Sequence, residues 1–170
     1  MDRAGRPAEA RRHLDLALAL HRKVGNPAGE AVSLNHLGVV LRHQGELAQA
    51  RARHEQAAAV YRKLGNTTDE AAALNGLAKA AGDPARAVEG HTAALALANL
   101  TRNRPERARA HDGLARAHLA LGHSEQACEH GRLALGLYSE LGVPEAEEVR
   151  TFLKHAGEST GLDSPHPVRP

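Results

Sequence analysis

The chain has 170 residues, the length of one ordinary domain or one short array of repeats. Its apolar residues are mainly 34 alanines and 23 leucines, with no isoleucine, no tryptophan, one phenylalanine and two tyrosines. Because β-sheet cores need β-branched and aromatic side chains, this composition excludes an all-β fold and predicts an all-α one. The net charge of +2 is too small to require a nucleic-acid partner, and no apolar run approaches the roughly 18 residues of a membrane span.

Two sequence blocks recur along the chain and define a repeat. The first reads GRPAEA, GELAQA, GDPARA and GHSEQA at residues 5–10, 45–50, 82–87 and 122–127. The second reads LNHLG, LNGLA and HDGLA at residues 34–38, 74–78 and 111–115, spaced 40 and then 37 residues apart. The unit therefore holds two elements of about 14 to 18 residues each.

Both elements of the unit have helical periodicity. Leu34, Leu37 and Leu41 follow the i, i+3, i+7 spacing of one helix face. Prolines stand where helices should begin and glycines where they should end, and Asp83 and Ser124 are predicted N-caps. The pattern predicts helices near residues 7–24, 28–43, 47–64, 68–81, 84–101, 105–121, 124–141 and 145–157.

The pairing of large and small residues resembles the tetratricopeptide repeat. Leu37 and Gly38 on a first helix are followed by Ala50 and Ala57 on the second, and small residues let two helices approach closely. The resemblance covers residues 5–157 and implies an all-α, right-handed α-solenoid of about three full repeats with a half-repeat at each end. Residues 1–157 are therefore predicted to form an eight-helix array, and the proline-rich residues 158–170 a disordered C-terminal tail.

The period of 40 residues exceeds the usual 34 and is similar to the variant found in kinesin light chains. Residues 30–66 and 141–153 also resemble the C-terminal repeats of actinobacterial SARP-type and NB-ARC transcriptional regulators. This resemblance implies a cytoplasmic protein–protein interaction module, the regulatory or sensor part of a bacterial transcriptional regulator. We expect its partner to be a protein or peptide, or upstream domains of a longer chain of its own, because the sequence begins inside a repeat. A single cysteine, Cys128, suits a reducing compartment.

The first helix of each pair is expected to line a concave surface that binds the partner. Asn35 and Asn75 hold the same slot in successive repeats, and Asp112 continues the column. Kinesin-light-chain-like repeats use such asparagines to hold the backbone of an extended peptide, and neighbouring cations would favour an acidic segment. The predicted partner-binding residues are Asn35, Val39, Arg42, Asn75, Lys79, Arg109, Asp112 and Arg116.

Two other functions remain open at this point. The first is a homo-oligomerising structural module, with a homodimer formed through the open N-terminal helix, where Leu14, Leu18 and Leu20 should be partly exposed. The second is a small-molecule sensor at the shortened repeat, where three residues are missing between Leu77 and Ala87.

Four histidines occupy slots that the family fills with aromatic residues: His54, His91, His111 and His118. Neutral imidazoles that fill volume and bond locally are the first interpretation, and a metal site or a pH switch are the alternatives. His111 and His118 lie roughly 10 Å apart along one helix, so they can share a metal only if a third element brings a ligand between them. With no HExxH motif, Cys–His cluster or nucleophile elbow, we expect no metal, no cofactor and no enzymatic activity.

Overall fold

A computed structural model describes residues 5–160 of the chain, with side chains from residue 7 to residue 157. Eight helices and no strand occur in this part: α1 (Gly5–Lys23), α2 (Pro27–His43), α3 (Leu47–Lys63), α4 (Thr67–Lys79), α5 (Pro84–Leu100), α6 (Arg104–Ala120), α7 (Ser124–Leu141) and α8 (Glu145–Thr160). All eight predicted helices are confirmed, and each begins and ends within three residues of its predicted bounds. Because α8 continues to Thr160, the first three residues of the predicted disordered tail are helical; residues 161–170 lie outside the described part.

Side-chain caps and left-handed turns explain where the helices begin and end. Four helices begin at an Asn or Asp whose side chain accepts a backbone N–H of the first turn: Asn26 from Gly29, Asn66 from Asp69, Asp83 from Ala85 and Asn103 from Glu106. The predicted cap Ser124 is instead the first residue of α7, after His123. Most turns use a glycine with φ between 66° and 79°, a conformation that costs glycine little, whereas Arg102 takes this place with φ 53° between α5 and α6.

The helices stack in sequence and form two layers. Each helix packs against the next one, and α4 also contacts α2 and α6 across the repeats. These first helices therefore form one layer of the array, while α3, α5 and α7 form the other. The arrangement confirms the predicted α-solenoid, and it places the predicted binding residues of α2, α4 and α6 on a shared inner face.

Small residues fill the crossings between the layers, as the repeat pattern predicts. Ala50 and Ala57 of α3 are fully buried, and so are their counterparts Ala94, Ala127 and Ala134. Since a methyl group at these positions has no exposed surface, a larger side chain cannot be added without moving a neighbouring helix.

Replacing Ala57 by leucine should lower the free energy of unfolding by about 1–3 kcal/mol through overpacking. Ala59 lies on the same helix but is exposed, so Ala59→Leu should change stability by less than about 0.5 kcal/mol. Urea denaturation of the two variants measures the difference. Equal midpoints for both would show that the crossing at Ala57 is not close.

The two ends of the array differ in their exposed surface. On α1, Leu20 is exposed and Leu14 is half-buried as predicted, but Leu18 is only 5% exposed, because it packs into the core formed with α2 and α3. At the other end, α8 buries Val149 against α6 and α7 and exposes polar residues such as Lys154. The C-terminal helix therefore has the polar outer face of a capping helix, whereas α1 does not.

Candidate functional site

Two adjoining depressions occupy the inner face of the array. The first, here called the inner groove, has a volume of about 520 Å³, and its lining includes Asn35, Val39, Arg42, Asn75, Lys79 and Arg109. The second, here called the notch, has a volume of about 490 Å³ and is lined by Asp112 and Arg116 together with Arg42 and Lys79, which line both. The structure thus brings all eight sequence-predicted residues to one continuous surface.

Asn75 is a structural residue, and the expectation that its amide is open to the backbone of a bound peptide is wrong. The side chain is only 2% exposed. Its Nδ2 donates to the backbone oxygen of Glu106 at 3.1 Å and to Glu106 Oε2 at 2.9 Å, and its Oδ1 accepts from His91 Nδ1 at 2.9 Å. Both N–H groups and the carbonyl are therefore used to join α4, α5 and α6, which leaves no hydrogen-bonding group for a peptide.

Asn35 differs from Asn75 although it holds the same slot one repeat earlier. It is half-buried, and its Oδ1 accepts from His54 Nδ1 at 2.8 Å. Within the described residues its Nδ2 has no hydrogen-bond partner, so two N–H donors remain available in the inner groove. Asp112, the third member of the column, is nearly buried and accepts from Arg116 Nε at 2.8 Å.

The histidines of α3 and α5 are buried in the core and hydrogen-bond to the asparagine of the neighbouring first helix, in agreement with the first interpretation given to them. Burial, aided by nearby Arg42, lowers the pKa of His54 to about 4, and burial, aided by Lys79, lowers the pKa of His91 to about 4. Each ring lies so close to a glycine on the next first helix that a Cβ would meet it: 2.4 Å at Gly76 and 2.2 Å at Gly113. The Asn–His pairs therefore fix the spacing between helices.

Only two of the four predicted cations keep their charge free for a partner. Arg109 pairs with Glu106, and Arg116 pairs with Asp112. Among the described residues, by contrast, Arg42 hydrogen-bonds only the His43 ring, and Lys79 has no ion-pair partner within 4 Å. Although Lys79 is exposed, its place in the concave surface desolvates the amine, and this lowers its pKa despite nearby Asp112.

The shortened repeat leaves a real opening beside α4. This helix has 13 residues, against 17 in α2, and it begins at the equivalent position of the repeat but ends at Lys79, so the shortening falls at its C-terminal end. The notch lies at this point, between the end of α4, the start of α5 and the facing side of α6, with Ala78, Pro84 and Ala87 in its wall.

Glu106 is the site residue that sequence reasoning missed. An acidic residue in the first turn of a helix is explained by the helix dipole alone, and this explanation gave no reason to connect it with Asn75. The side chain is instead nearly buried, and it joins Asn75 to Arg109. In the described part of the chain, no group of three or more His, Cys, Asp or Glu residues is placed to hold a metal ion.

A family model for the tetratricopeptide repeat matches residues 3–63 and 29–89, which together span just over half of the sequence. The chain belongs to the tetratricopeptide-repeat family. Repeats of this family (TPRs) generally mediate protein–protein interaction, and no catalytic family is indicated. A search of curated proteins found no match. None of the described helices is both long enough and apolar enough to span a membrane.

Solved TPR-type structures share the fold. The apo form of RapI superposes with a TM-score of 0.79 at 13% identity over 88% of this chain, which spans only 56% of the RapI chain. A putative kinesin light chain of Podosopora anserina with nearly identical TPR-like repeats superposes with a TM-score of 0.72 at 22% identity. The match covers 94% of this chain and 81% of the Podosopora anserina chain. A variant of that protein with one substitution gives a TM-score of 0.73. At these identities the similarity concerns the fold alone.

Proposed function

We propose that this TPR array binds an extended, acidic protein segment along the inner groove and the notch, as the regulatory or sensor part of a cytoplasmic bacterial transcriptional regulator. The observation that supports binding at this surface is its lining, in which unpaired cations and free amide donors lie side by side. Arg42 and Lys79 supply positive charge to both depressions, and Asn35 supplies two N–H donors. The regulator context rests on the resemblance of residues 30–66 and 141–153, and the partner could be supplied by another protein or by upstream domains of a longer chain.

Peptides of equal length that carry glutamate, alanine or lysine at alternate positions provide a test. Fluorescence anisotropy should give the tightest binding for the acidic peptide. Arg42→Glu combined with Lys79→Glu should weaken this binding roughly tenfold at about 50 mM salt and much less at about 500 mM, because exposed charges are screened. The matched control is Arg51→Glu with Arg132→Glu, which reverses two exposed charges on the outer helices α3 and α7.

The control variant should bind the acidic peptide as the unchanged protein does. If it weakens binding as much as the Arg42 and Lys79 pair, the effect comes from overall charge and the inner face is not the site. If the protein binds the acidic peptide no more tightly than the other two, the proposed acidic partner is wrong.

The exposed face of α1 favours a second function, self-association into a homodimer. Leu16 is 69% exposed and Leu20 58%, and Val24, the residue that follows α1, is 64% exposed and continues their stripe at i, i+4 and i+8. Val60 of α3, the counterpart of Leu20 one repeat later, is partly covered by its packing against the core. Multi-angle light scattering should then give a dimer that Leu16→Glu with Leu20→Glu converts to a monomer and Leu100→Glu, at an exposed site on α5, does not. A monomer at high protein concentration would contradict this function.

The notch favours the third function, a small-molecule sensor. Its volume suits a compact ligand, and the apolar wall at Ala78, Pro84 and Ala87 faces the charged groups of Lys79 and Arg116. A ligand that raises the thermal midpoint of the unchanged protein but not of Ala87→Leu would bind there. A ligand that stabilises both proteins equally binds elsewhere.

A further inference from the structure

Four histidines form a continuous row along the seam between α6 and α7. His111 and His118 belong to α6, His123 stands at the N-cap of α7, and His130 belongs to α7. Their ring centroids are separated by 5.2 Å from His111 to His130, 5.6 Å from His130 to His118 and 5.7 Å from His118 to His123. Helix α7 thus brings His130 between His111 and His118, which lie two turns apart on α6. We call the four residues the histidine row.

The contacts in the row do not accommodate a positive charge on both partners. Nδ1 of His111 lies 3.0 Å from Nδ1 of His130, so one of these nitrogens must donate and the other must accept. A proton added at Nε2 of the donor ring leaves this hydrogen bond in place, whereas a proton added at Nδ1 of the acceptor ring replaces it by repulsion between two N–H groups. When both rings are charged, the bond is therefore lost. The rings of His130 and His118 stack at an interplanar angle of 11°, so positive charges on both rings would face each other directly.

The surroundings of the row include one charged side chain of each sign. Helix α7 contributes Glu129, which favours protonation, and α6 contributes Arg107, which opposes it. Nε of Arg107 is buried without a hydrogen-bond partner among the described residues. Burial lowers the pKa of His111 to about 4 and is also the largest cause of the lowered pKa of His118 and of His130.

Helix α6 connects the row to the inner face. His111 is followed directly by Asp112, which lines the notch, and Arg116 and Ala117 line it one turn further on. The same helix carries Arg109 into the inner groove. Because α6 is a single rigid helix, its packing on α7 determines where these residues stand relative to Arg42 and Lys79.

We propose that the histidine row is a proton-operated latch, which holds α6 on α7 while its rings are neutral and releases this seam when they are protonated. Release would separate the end of the array from the repeats before it and would distort the notch. The effect on the partner rests on the proposed function, whereas release of the seam does not.

The direction of the pH effect follows from proton uptake. A histidine in the released seam has the ordinary pKa of about 6.5, so below that pH the released state binds more protons than the closed one. The latch is therefore closed above about pH 6.5 and weakens progressively as the pH falls toward about 4. His54 and His91 act in the same direction on their own seams, so the measurement must resolve the individual helices.

Hydrogen exchange of the full chain, measured by mass spectrometry, resolves the individual helices. The rates are corrected for the intrinsic pH dependence of amide exchange. Between about pH 7.5 and pH 5.5, protection of residues 104–141 should fall at least about tenfold and exceed the loss over α2 and α3. His118→Gln with His130→Gln should reduce this pH dependence, and the part that remains belongs to His111 and to His91, which packs against Gly113 of α6. His13→Gln with His36→Gln, which removes two exposed histidines elsewhere, should retain it.

Two outcomes overturn the proposal: protection of residues 104–141 that does not change with pH in the unchanged chain, or an undiminished change in the His118 and His130 variant. If that variant does not fold, the first measurement still decides, since it uses the unchanged chain. Anisotropy of the acidic peptide over the same pH range separates the two proposals. Release of the seam without any peptide binding supports the latch and contradicts the proposed function.

Discussion

Replacing Asn75 by alanine should lower the free energy of unfolding by about 3–4 kcal/mol, because the change leaves buried polar groups without partners. The substitution removes three hydrogen bonds, to His91 Nδ1, to Glu106 Oε2 and to the Glu106 backbone oxygen. Since small domains are stable by only about 5–15 kcal/mol, this loss is a large part of the whole. Urea denaturation near neutral pH, where His91 is neutral in the folded protein, measures it.

Asn35→Ala is the matched control, because it removes the equivalent residue one repeat earlier. That asparagine is half-buried and makes one hydrogen bond, to His54, so its loss should cost about 1 kcal/mol. Asn75→Asp keeps the acceptor for His91 but sets a carboxylate against Glu106, and it should be as harmful as the alanine substitution. Equal losses at Asn35 and Asn75 would contradict the structural role given to Asn75.

The difference between the two asparagines arises in the helix that follows each of them. Glu106, which accepts a hydrogen bond from Asn75, lies three residues after the cap Asn103. The equivalent position in the preceding repeat is Asp69, three residues after the cap Asn66. Asp69 is one methylene shorter than a glutamate, and its carboxylate accepts from Asn66 Nδ2 at 2.7 Å. The amide of Asn35 is therefore left open, whereas the amide of Asn75 is enclosed.

Periodicity predicted which residues share a face but not how deeply each one lies. The repeats, the helices, the close alanine crossings and the convergence of the eight site residues follow from spacing alone. Burial of Asn75 depends on the length of one acidic side chain 31 residues away, and neutralisation of Arg109 depends on the same side chain. Spacing along a single helix also could not place His130 between His111 and His118, because that contact requires the register of α6 against α7.

Replacing Gly113 by alanine should lower the free energy of unfolding by about 2–3 kcal/mol. This loss is expected although alanine stabilises a helix interior by about 1 kcal/mol relative to glycine. A Cβ at this position would stand 2.2 Å from Nε2 and 2.3 Å from Cε1 of His91. The ring cannot move away, because it is 2% exposed and its Nδ1 is held by Asn75. Helix α6 would have to shift from α5, and the hydrogen bonds between Asn75 and Glu106 would lengthen with it.

Gly136→Ala is the control for helix propensity, since Gly136 lies inside α7 and a Cβ there would meet nothing within 4 Å. This variant should be more stable than the unchanged protein by about 0.5–1 kcal/mol, so the two substitutions should differ in sign. Combining Gly113→Ala with His91→Ala tests the cause, because removal of the ring gives the new methyl group space. The double variant should then be less destabilised than the sum of the single changes by about 1 kcal/mol or more. Strict additivity in denaturant unfolding would mean that the ring of His91 does not set the distance between α5 and α6.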